Sequence, residues 1–598
     1  MAVTNRAKGQ EKPPSWAQKG KLRLAQVLAG PAETARLILM DRWDGLPATL
    51  LPLQRYGPKL VDELILRKFN AVCLAWSCGF SHVADQAQWD CVKAILPLLK
   101  KKKIRTVAAI WFTSAFADEL IKQNPEAKNW PRRDDKGAPV KIDGSPRLVE
   151  MDLSHAGWRN YIAEKIRFAL ESGFDGIYFP DSLAAEPSAV SSFLEALPKL
   201  IGSSLSPNIV AQASSLQEIS PPNRGVDTPP EAREILFCCN STGHLPLSAA
   251  GNFHCGEPLF EAGLPGEKPF NNLEYYKRLF EAGGRERPFA CHFEAGSNAK
   301  KDCLATAEIL ATGGICTQFD APLAYQLFQA EHIALFASAD PVSSIGIFYD
   351  DYSGEFPTGV TFPMLLARNN IQYDLIPASR FQHFDLGKYK LLGALNLCRV
   401  SNPLLEALRA FVRQHGGTLL LSGSTGTLDP LTGESSQSRS PFSLFEMPPL
   451  LQEGRRKEDG PPMQAPRTEL PEGLGRVIAY GGCEPVYNEN ETAFLEGPKQ
   501  MYLDDVKKYG GESLIEIQAP EGIVALLWGK GTRRWVHVLN YRAEVTDAEI
   551  ILPGCGGRTL FVHSPDGKPP LLTVLETGSA RAIFSLTGIE TYAIVEVV

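Results

Sequence analysis

Between residues 35 and 338, short apolar runs alternate with longer amphipathic segments of helical spacing, and this alternation constrains the fold most. The runs are continuously apolar, as in parallel strands that are covered on both faces. Eight runs are present: Arg36–Met40, Ala71–Ala75, Arg105–Ile110, Gly176–Phe179, Ile209–Ala211, Ile235–Cys239, Pro288–His292 and Gly314–Gln318. Eight strand–helix units in about 300 residues predict an α/β fold of the (β/α)8 TIM-barrel type. The alternative is an open doubly wound sheet, but the first run lacks the glycine-rich phosphate turn typical of that fold.

The chain after the barrel shows two further patterns. A second α/β unit has strands predicted at Ile345–Tyr349, Gln372–Ile376, Lys390–Leu395 and Thr418–Ser422, with helices at Phe362–Asn369 and Pro403–His415. From residue 513 the runs are short, alternating and separated by Gly, Asp and Pro, which is typical of a β-sandwich. We therefore predict an N-terminal extension (1–34), a catalytic barrel (35–340), a Rossmann-like α/β domain (341–484) and a C-terminal β-sandwich (485–598).

Composition excludes several classes of protein. The 598 residues carry 61 basic and 68 acidic side chains, a net charge of −7, so nucleic acid is not an expected partner. No apolar stretch of about 18 residues is present to span a membrane, and no secretory signal is visible. The 12 cysteines form no CxxC pair, which fits a reducing compartment. We predict a cytoplasmic protein.

Three segments resemble one family of enzymes. They are Phe174–Asp181 (FDGIYFPD), Ala410–Leu419 (AFVRQHGGTL) and Trp535–Tyr541 (WVHVLNY). In this order they are similar to the fourth barrel strand, the middle domain and the C-terminal sandwich of family 42 β-galactosidases and their hypothetical glycosyl hydrolase relatives. The resemblance implies a glycoside hydrolase whose middle domain is a GATase-like trimerisation domain, and a homo-oligomer, trimer or dimer.

Two carboxylates are the candidate catalytic pair. Asp181 follows the fourth predicted strand and Glu294 the seventh, and barrel enzymes place catalytic groups at these strand ends. Glycoside cleavage needs one carboxyl group to protonate the leaving oxygen and a second to attack the sugar or activate water. Structural alternatives are a helix cap for Asp181 and a surface loop position for Glu294.

Further strand-end residues are candidates for binding the substrate. Tryptophan faces pack against sugar rings, and polar groups hold hydroxyls, although each tryptophan could instead be a packing residue. The candidates are Asp41, Trp43, Trp76, Trp111, Asn240, His292 and Asp320.

The sequence therefore predicts an O-glycoside hydrolase that acts on a small or oligomeric glycoside without a metal or other cofactor. No HExxH, P-loop or GxSxG motif is present. Pro180-Asp181 stands where true family 42 enzymes carry an Asn-Glu pair. This departure keeps a second hypothesis open, a non-catalytic or degenerate barrel that binds carbohydrate or serves as an assembly scaffold.

Overall fold

The structure is a computed structural model of the chain. It describes residues 24–27, 57–142, 148–180, 189–190, 192–193, 196–197, 200, 236–240, 253–256, 272–282, 289–291, 293, 298–318, 321–332, 335–336, 339–351, 362–395, 397–422, 425–429, 445, 467–480, 487–488, 493–494, 496–578 and 580–598. The chain forms two compact units. Unit 1 comprises Met1–Pro258, Ala282–Gly296 and Gly313–Ala337, and unit 2 comprises Leu259–Glu281, Ser297–Thr312 and Ser338–Val598.

Helices are found in both units. They are α1 (Pro58–Leu66), α2 (His82–Lys101), α3 (Ala117–Gln123), α4 (Ala156–Ser172), α5 (Leu273–Ala282), α6 (Ala299–Ala311), α7 (Leu323–Glu331), α8 (Phe362–Arg368), α9 (Asn402–His415) and α10 (Glu496–Tyr509). Short 3₁₀ helices lie at Pro125–Asn129, Ala378–His383 and Leu386–Lys388. Local sequence sets several of the ends. Ser81 caps α2 by accepting the backbone N–H of Ala84, and α4 ends at Gly173, whose φ is 108°.

Unit 1 contains an eight-stranded parallel sheet. Its strands, in spatial order, are β1 (Leu24–Val27), β2 (Ala71–Ser77), β3 (Arg105–Ile110), β6 (Gly176–Phe179), β7 (Leu236–Asn240), β8 (Phe253–Gly256), β9 (Phe289–Cys291) and β10 (Ile315–Cys316). A two-stranded hairpin, β4 (Ser114–Phe116) with β5 (Leu148–Glu150), is inserted between β3 and α4. The spatial order follows the chain order, as the predicted strand–helix repeat requires.

The two faces of this sheet carry different side chains. Val72, Leu74 and Trp76 of β2 pack among residues of α1, α2 and α4, which defines the helix-facing cluster. The alternate residues of the strands form a second cluster, the strand-only cluster: Ala71, Cys73, Ala75, Val107, Ala109, Tyr178, Ala290 and Ile315. Both faces are therefore buried, which explains why the runs are continuously apolar.

The strand-only cluster also shows that the sheet curves. Ala290 and Ile315 come from the seventh and eighth strands in spatial order, yet they pack with residues of the second, third and fourth. Cα atoms of β1 and β10 approach to within 8 Å, although no backbone ladder joins these two strands in the described part of the chain. The fold is thus of the TIM-barrel type, and complete closure of the barrel stays a prediction.

Two of the eight predicted strands were misplaced. The position beside β2 is taken by Leu24–Val27, within the predicted N-terminal extension, and the predicted strand Arg36–Met40 lies outside the described residues. Ile209–Ala211, also outside them, was predicted between Gly176–Phe179 and the next strand, but β6 pairs directly with β7. The sixth position belongs to β8, which the apolar pattern did not reveal. Asn240 consequently ends the fifth strand, where the prediction had the sixth.

Unit 2 contains a six-stranded sheet in the order β13 (Asp374–Pro377), β12 (Ile345–Tyr349), β14 (Leu391–Ala394), β15 (Thr418–Ser422), β17 (Gly475–Tyr480) and β16 (Arg467–Glu472). All pairs are parallel except β16 with β17. The strands predicted in this region are found within two residues of their expected bounds. Helix α9 has five buried apolar residues on one face, which is typical of an amphipathic helix packed against a sheet.

The C-terminal part of unit 2 is built from antiparallel sheets. One has the order β11 (Asp340–Pro341), β21 (Ile523–Lys530), β22 (Arg533–Asn540), β27 (Tyr592–Val597) and β24 (Leu560–His563). The other has the order β20 (Glu516–Gln518), β23 (Thr546–Pro553), β26 (Arg581–Ile589) and β25 (Leu571–Thr577). Both sheets contribute to one buried cluster, with Val536 and Val595 from the first and Ile550 and Phe584 from the second. A separate two-stranded ladder joins β18 (Tyr487–Asn488) and β19 (Ala493–Phe494).

Among the described residues, no helix is both long and apolar enough to cross a membrane.

Candidate functional site

The carboxyl edge of the unit 1 sheet, where its parallel strands end, is the place at which a barrel enzyme assembles its site. Among the strand ends described there with their side chains are those of β2, β3 and β6. β2 ends at Ser77, β3 at Ile110 and β6 at Phe179, and each is buried. The backbone N–H of Trp111 donates to the carbonyl of Ser77 at 2.9 Å, which ties the ends of β2 and β3 together.

A glycine allows the loop after β2 to lie against the β4–β5 hairpin. Gly79 has a φ of 76°, and a Cβ placed on it would lie 2.9 Å from the carbonyl oxygen of Ser114 and 3.0 Å from the Cα of Ala115. Both neighbours are backbone atoms, so they cannot move aside as a side chain could. The backbone N–H of Phe116 also donates to the carbonyl of Gly79 at 3.0 Å. Glycine is therefore required both for its conformation and for the close approach.

A buried ion pair fixes the start of α2 beside this loop. The Nζ of Lys165 donates to Oδ2 of Asp85 at 2.5 Å, to the carbonyl of Phe80 at 2.5 Å and to Oγ of Ser77 at 2.7 Å. Lys165 lies on α4 and Asp85 in the first turn of α2, and both side chains are almost completely buried. All three ammonium protons thus have acceptors, which a buried charge requires. The lysine connects a helix, a strand end and the loop between them.

Burial and electrostatic attraction shift the pKa values of Lys165 and Asp85 in opposite directions. Burial lowers the pKa of Lys165 and raises the pKa of Asp85, while each charge favours the ionised form of the other. His82, which stacks on Tyr161 at 4.7 Å between ring centroids, has its pKa lowered to about 4 by burial and by the nearby Lys165 charge. His82 is therefore a neutral packing group near pH 7.

The sequence contains a signal for this pair, although neither residue lies at a strand end. On α2, Asp85 precedes the buried residues Trp89 and Val92 by four and seven positions, so it lies on the apolar face of the helix. On α4, Lys165 follows Trp158 and Ile162 by seven and three positions and lies on the apolar face in the same way. Opposite charges on the apolar faces of two helices indicate a buried ion pair.

Trp76 is not a sugar platform. Its indole is fully buried in the helix-facing cluster, where it stacks on Trp89 at 5.4 Å between ring centroids and meets Phe174 edge-on. The indole N–H donates to the carbonyl of Lys165 at 3.3 Å. The prediction that Trp76 binds substrate was wrong because the sequence did not reveal which face of β2 the side chain occupies.

Trp111 lies at the carboxyl edge but is covered. It shares the face of Val107 and Ala109 by strand alternation, and its side chain packs with Phe80, Phe116 and Leu148. Only 3% of Trp111 is exposed, so in this structure it supports the loops at the edge and offers no open face to a sugar. Trp76 and Trp111, the two predicted sugar-binding tryptophans that the structure describes, thus belong to different clusters and do not form a common surface.

The remaining predicted residues are not placed by the structure. Asp181 and Glu294, the predicted catalytic pair, lie outside the described residues, as do Asp41, Trp43, His292 and Asp320. Asn240 is described only as the last backbone position of β7. Within the described part of the chain, no group of three or more His, Cys, Asp or Glu side chains is placed to hold a metal ion.

Unit 2 contains a buried carboxyl group with a shifted pKa. Glu308 on α6 accepts hydrogen bonds from Oη of Tyr541 at 2.7 Å, from the backbone N–H of Asn272 at 3.0 Å and from Nδ2 of Asn272 at 3.4 Å. Its side chain is fully buried. Burial raises the pKa of Glu308 to about 7, against the opposing effect of these three donors.

In the segment Trp535–Tyr541, which carried part of the family resemblance, His537, Asn540 and Tyr541 each have a structural role. His537 shares a 2.6 Å hydrogen bond with Oη of Tyr592, and burial lowers the pKa of His537 to about 3. Nδ2 of Asn540 donates to the carbonyl of Ile589 at 2.8 Å, and Tyr541 binds Glu308. The motif therefore anchors β22 within unit 2.

The chain resembles known proteins by its structure. No protein-family model matches it, and no curated protein matches it by sequence. Solved structures do match. An α-L-fucosidase isoenzyme 2 from Paenibacillus thiaminolyticus superposes with a TM-score of 0.58 at 13% identity, covering 96% of this chain and 99% of the fucosidase.

A β-galactosidase from Bacillus circulans sp. alkalophilus gives a TM-score of 0.58 at 12% identity, with 97% of this chain and 100% of that chain covered. A β-galactosidase from Rahnella sp. R3 gives a TM-score of 0.57 at 12% identity, with 96% of this chain and 98% of that chain covered. The chain has a glycoside hydrolase-like fold. The near-complete coverage includes the parts that follow the barrel-type sheet, and at 12–13% identity the likeness is one of fold.

Proposed function

We propose that the protein is an O-glycoside hydrolase that cleaves a small or oligomeric glycoside at the carboxyl edge of the unit 1 sheet. The observation that carries this proposal is the glycoside hydrolase-like fold, which extends over 96% of the chain. The similar proteins are named as a fucosidase and β-galactosidases, so their shared chemistry is the hydrolysis of a glycosidic bond. Their different sugars give no reason to prefer one substrate.

Asp181 and Glu294 are the proposed catalytic pair. Asp181 follows the end of β6 by two residues, and Glu294 follows the end of β9 by three. These are the fourth and seventh strands of one parallel sheet, so their carboxyl ends lie at the same edge. A chain extends by at most about 3.6 Å per residue, which keeps both positions close to those strand ends.

The curvature of the sheet supports pairing these two residues. Tyr178, three residues before Asp181, and Ala290, four residues before Glu294, both belong to the strand-only cluster although their strands are not neighbours in the sheet. The two strand ends therefore converge on the face away from the helices. A separation of about 5–5.5 Å between the two carboxyl groups would give retention of anomeric configuration, and roughly 6.5–9.5 Å would give inversion.

The mechanism assigns one carboxyl group as general acid and the other as nucleophile or general base. The acid protonates the leaving oxygen, and the partner carboxylate attacks the anomeric carbon or takes a proton from water. Asp41, Trp43, His292, Asn240 and Asp320 are proposed to contact the sugar. The ion pair of Lys165 and Asp85 would hold the loop after β2 in place at the same edge.

Hydrolysis of 4-nitrophenyl glycosides, both anomers of common hexoses and pentoses, tests the proposal. On any substrate that the parent chain cleaves, Asp181→Asn and Glu294→Gln are each expected to lower kcat/KM by about 10²–10⁴-fold. Asp62→Asn and Glu63→Gln on the exposed side of α1 are matched controls and should leave the rate unchanged. Full activity in either test variant, with both controls active, would remove that residue from the mechanism.

A second candidate function is carbohydrate binding without turnover. The observation that favours it is Pro180-Asp181, which stands where the enzymes that this sequence resembles carry an Asn-Glu pair. Calorimetric titration with the sugars of the same panel distinguishes the two functions. Binding without hydrolysis of any glycoside would favour the binding protein, and turnover abolished by Asp181→Asn would exclude it.

A further inference from the structure

Two cysteines lie side by side where β9 and β10 end. The two strands pair in parallel, and in their register Cys291 lies opposite Cys316, the last residue of each strand. The residues before them, Ala290 and Ile315, both belong to the strand-only cluster. Because side chains alternate along a strand, the two thiols lie together on the other face of the sheet.

The spacing of the strands brings the two cysteines within the range of a disulfide bond. Neighbouring strands lie about 4.7–4.9 Å apart, and the Cα atoms of disulfide-bonded cysteines lie about 4.4–6.8 Å apart. Both cysteines are present as thiols in the structure. On the other side of Cys291, β8 places Gly256 in register. The thiol of Cys291 therefore has a glycine on one side and a second thiol on the other.

We propose that Cys291 and Cys316 form a reversible disulfide when the protein is exposed to a peroxide. Hydrogen peroxide oxidises one thiol to a sulfenic acid and releases one water. The second thiol attacks the sulfenic sulfur, the S–S bond forms and a second water leaves. Two thiols thus lose two electrons and two protons, and the peroxide is reduced to two waters.

Burial selects the oxidant. Cys291 and Cys316 are both almost completely buried. A molecule of the size of glutathione disulfide cannot reach them in the folded chain, whereas hydrogen peroxide is little larger than water. A sulfenic acid formed at one of the two sulfurs has the other thiol beside it, so we expect the disulfide to form before further oxidation.

The disulfide would alter the edge of the sheet at which the proposed reaction takes place, and this consequence rests on the proposed function. Paired side chains on neighbouring strands begin about as far apart as the strands, whereas the Cβ atoms of a disulfide lie about 3.5–4.5 Å apart. The ends of β9 and β10 must therefore move together by up to about 1 Å. Glu294 follows Cys291 by three residues. A misplacement of about 1 Å in a catalytic group can slow a reaction by about 10²-fold.

Tandem mass spectrometry of a non-reduced digest tests the disulfide. The parent is treated with hydrogen peroxide, unfolded in the presence of N-ethylmaleimide and digested. We expect fragments that join Cys291 to Cys316, and their loss after treatment with dithiothreitol. Cys73 on β2 is the internal control, since it is buried to a similar extent but lies opposite Gln26 and Val107, and it should be recovered as the maleimide adduct.

Two variants complete this test. Cys291→Ala and Cys316→Ala each remove one thiol, and neither should yield a linked peptide from the remaining one. Recovery of Cys291 and Cys316 as maleimide adducts to the same extent as Cys73 would overturn the proposal. So would a link from either residue to another cysteine, or conversion of either to the sulfinic acid in the parent.

Initial rates on a cleaved glycoside test the consequence for activity. The kcat/KM of the parent is expected to fall by about 10²-fold on oxidation and to recover with dithiothreitol, in step with the linked peptide. Cys316→Ala should keep its rate under the same treatment. A linked parent that retains its full rate would overturn the effect on activity. If the parent cleaves no glycoside, the proposed function fails, whereas the mass spectrum still decides whether the disulfide forms.

Discussion

Replacement of Glu308 by glutamine should change how the stability of the protein depends on pH. Burial raises the pKa of Glu308 to about 7 in the folded chain, against an ordinary value of 4.5. Between these two values the folded state binds more protons than the unfolded state, so stability falls as pH rises. A difference of roughly 2.5 in pKa, at about 1.36 kcal/mol per unit, is worth about 3.4 kcal/mol in total.

This loss has a defined course. It amounts to about 1 kcal/mol by pH 5, about 2 kcal/mol by pH 6 and about 3 kcal/mol by pH 7, and it levels off above that. Glutamine cannot ionise, and its carbonyl can still accept the hydroxyl of Tyr541. We therefore expect Glu308→Gln to abolish this part of the pH dependence. The unfolding free energy of the variant relative to that of the parent should then rise steadily from pH 4.5 to 7.

Urea unfolding at pH 5, 6, 7 and 8, followed by tryptophan fluorescence, to which Trp528 and Trp535 of unit 2 contribute, measures the difference. Glu512→Gln, at an exposed position of the same unit, is the matched control and should follow the parent at every pH. A constant difference in unfolding free energy between Glu308→Gln and the parent across this range would refute the burial argument. It would mean that the three hydrogen bonds hold the carboxylate ionised.

Two further predictions concern the carboxyl edge of the unit 1 sheet. Lys165→Met leaves Asp85 buried without its cation and should lower the unfolding free energy by about 3–5 kcal/mol. Adding Asp85→Leu to this variant should restore much of the lost stability. A double variant that is no more stable than Lys165→Met would contradict the ion pair. Gly79→Ala should lower the unfolding free energy by more than the roughly 1–2 kcal/mol expected for alanine in the left-handed region, because its Cβ meets the backbone of the β4–β5 hairpin. Gly531→Ala is the control and should lower it by only that amount, since Gly531 has a φ of 57° and its added Cβ would have no atom within 4 Å. Thermal unfolding compares these variants, and equal shifts for the two glycines would contradict the close approach.

The strands of unit 1 that could be predicted are those with long continuous apolar runs. β2 and β3 are buried on both faces, and the sequence shows this directly. β1 and β8 could not be found in this way, because LAQV and FHCG are short and each contains a polar side chain. Arg36–Met40 is the more apolar segment, so the pattern favoured it over Leu24–Val27. A strand held by its neighbours needs little apolar character of its own.

Which side of a strand faces the site could not be predicted for a similar reason. In a run such as AVCLAWS every residue is apolar or small, so alternation does not distinguish the two faces. Trp76 was therefore grouped with Trp111 although it packs among helices. The paired charges of Asp85 and Lys165 were predictable from their helical positions, whereas the convergence of distant strand ends depends on the curvature of the sheet.

Initial rates of the parent, Asp181→Asn, Glu294→Gln and the double variant on one cleaved glycoside test the central claim most directly. If the two carboxyl groups act as one catalytic unit, the rate of the double variant should lie within about tenfold of the rate of the slower single variant, since either loss alone already disables the reaction. Losses that multiply in the double variant, or a single variant with the parent's rate, would contradict a shared mechanism for these two residues.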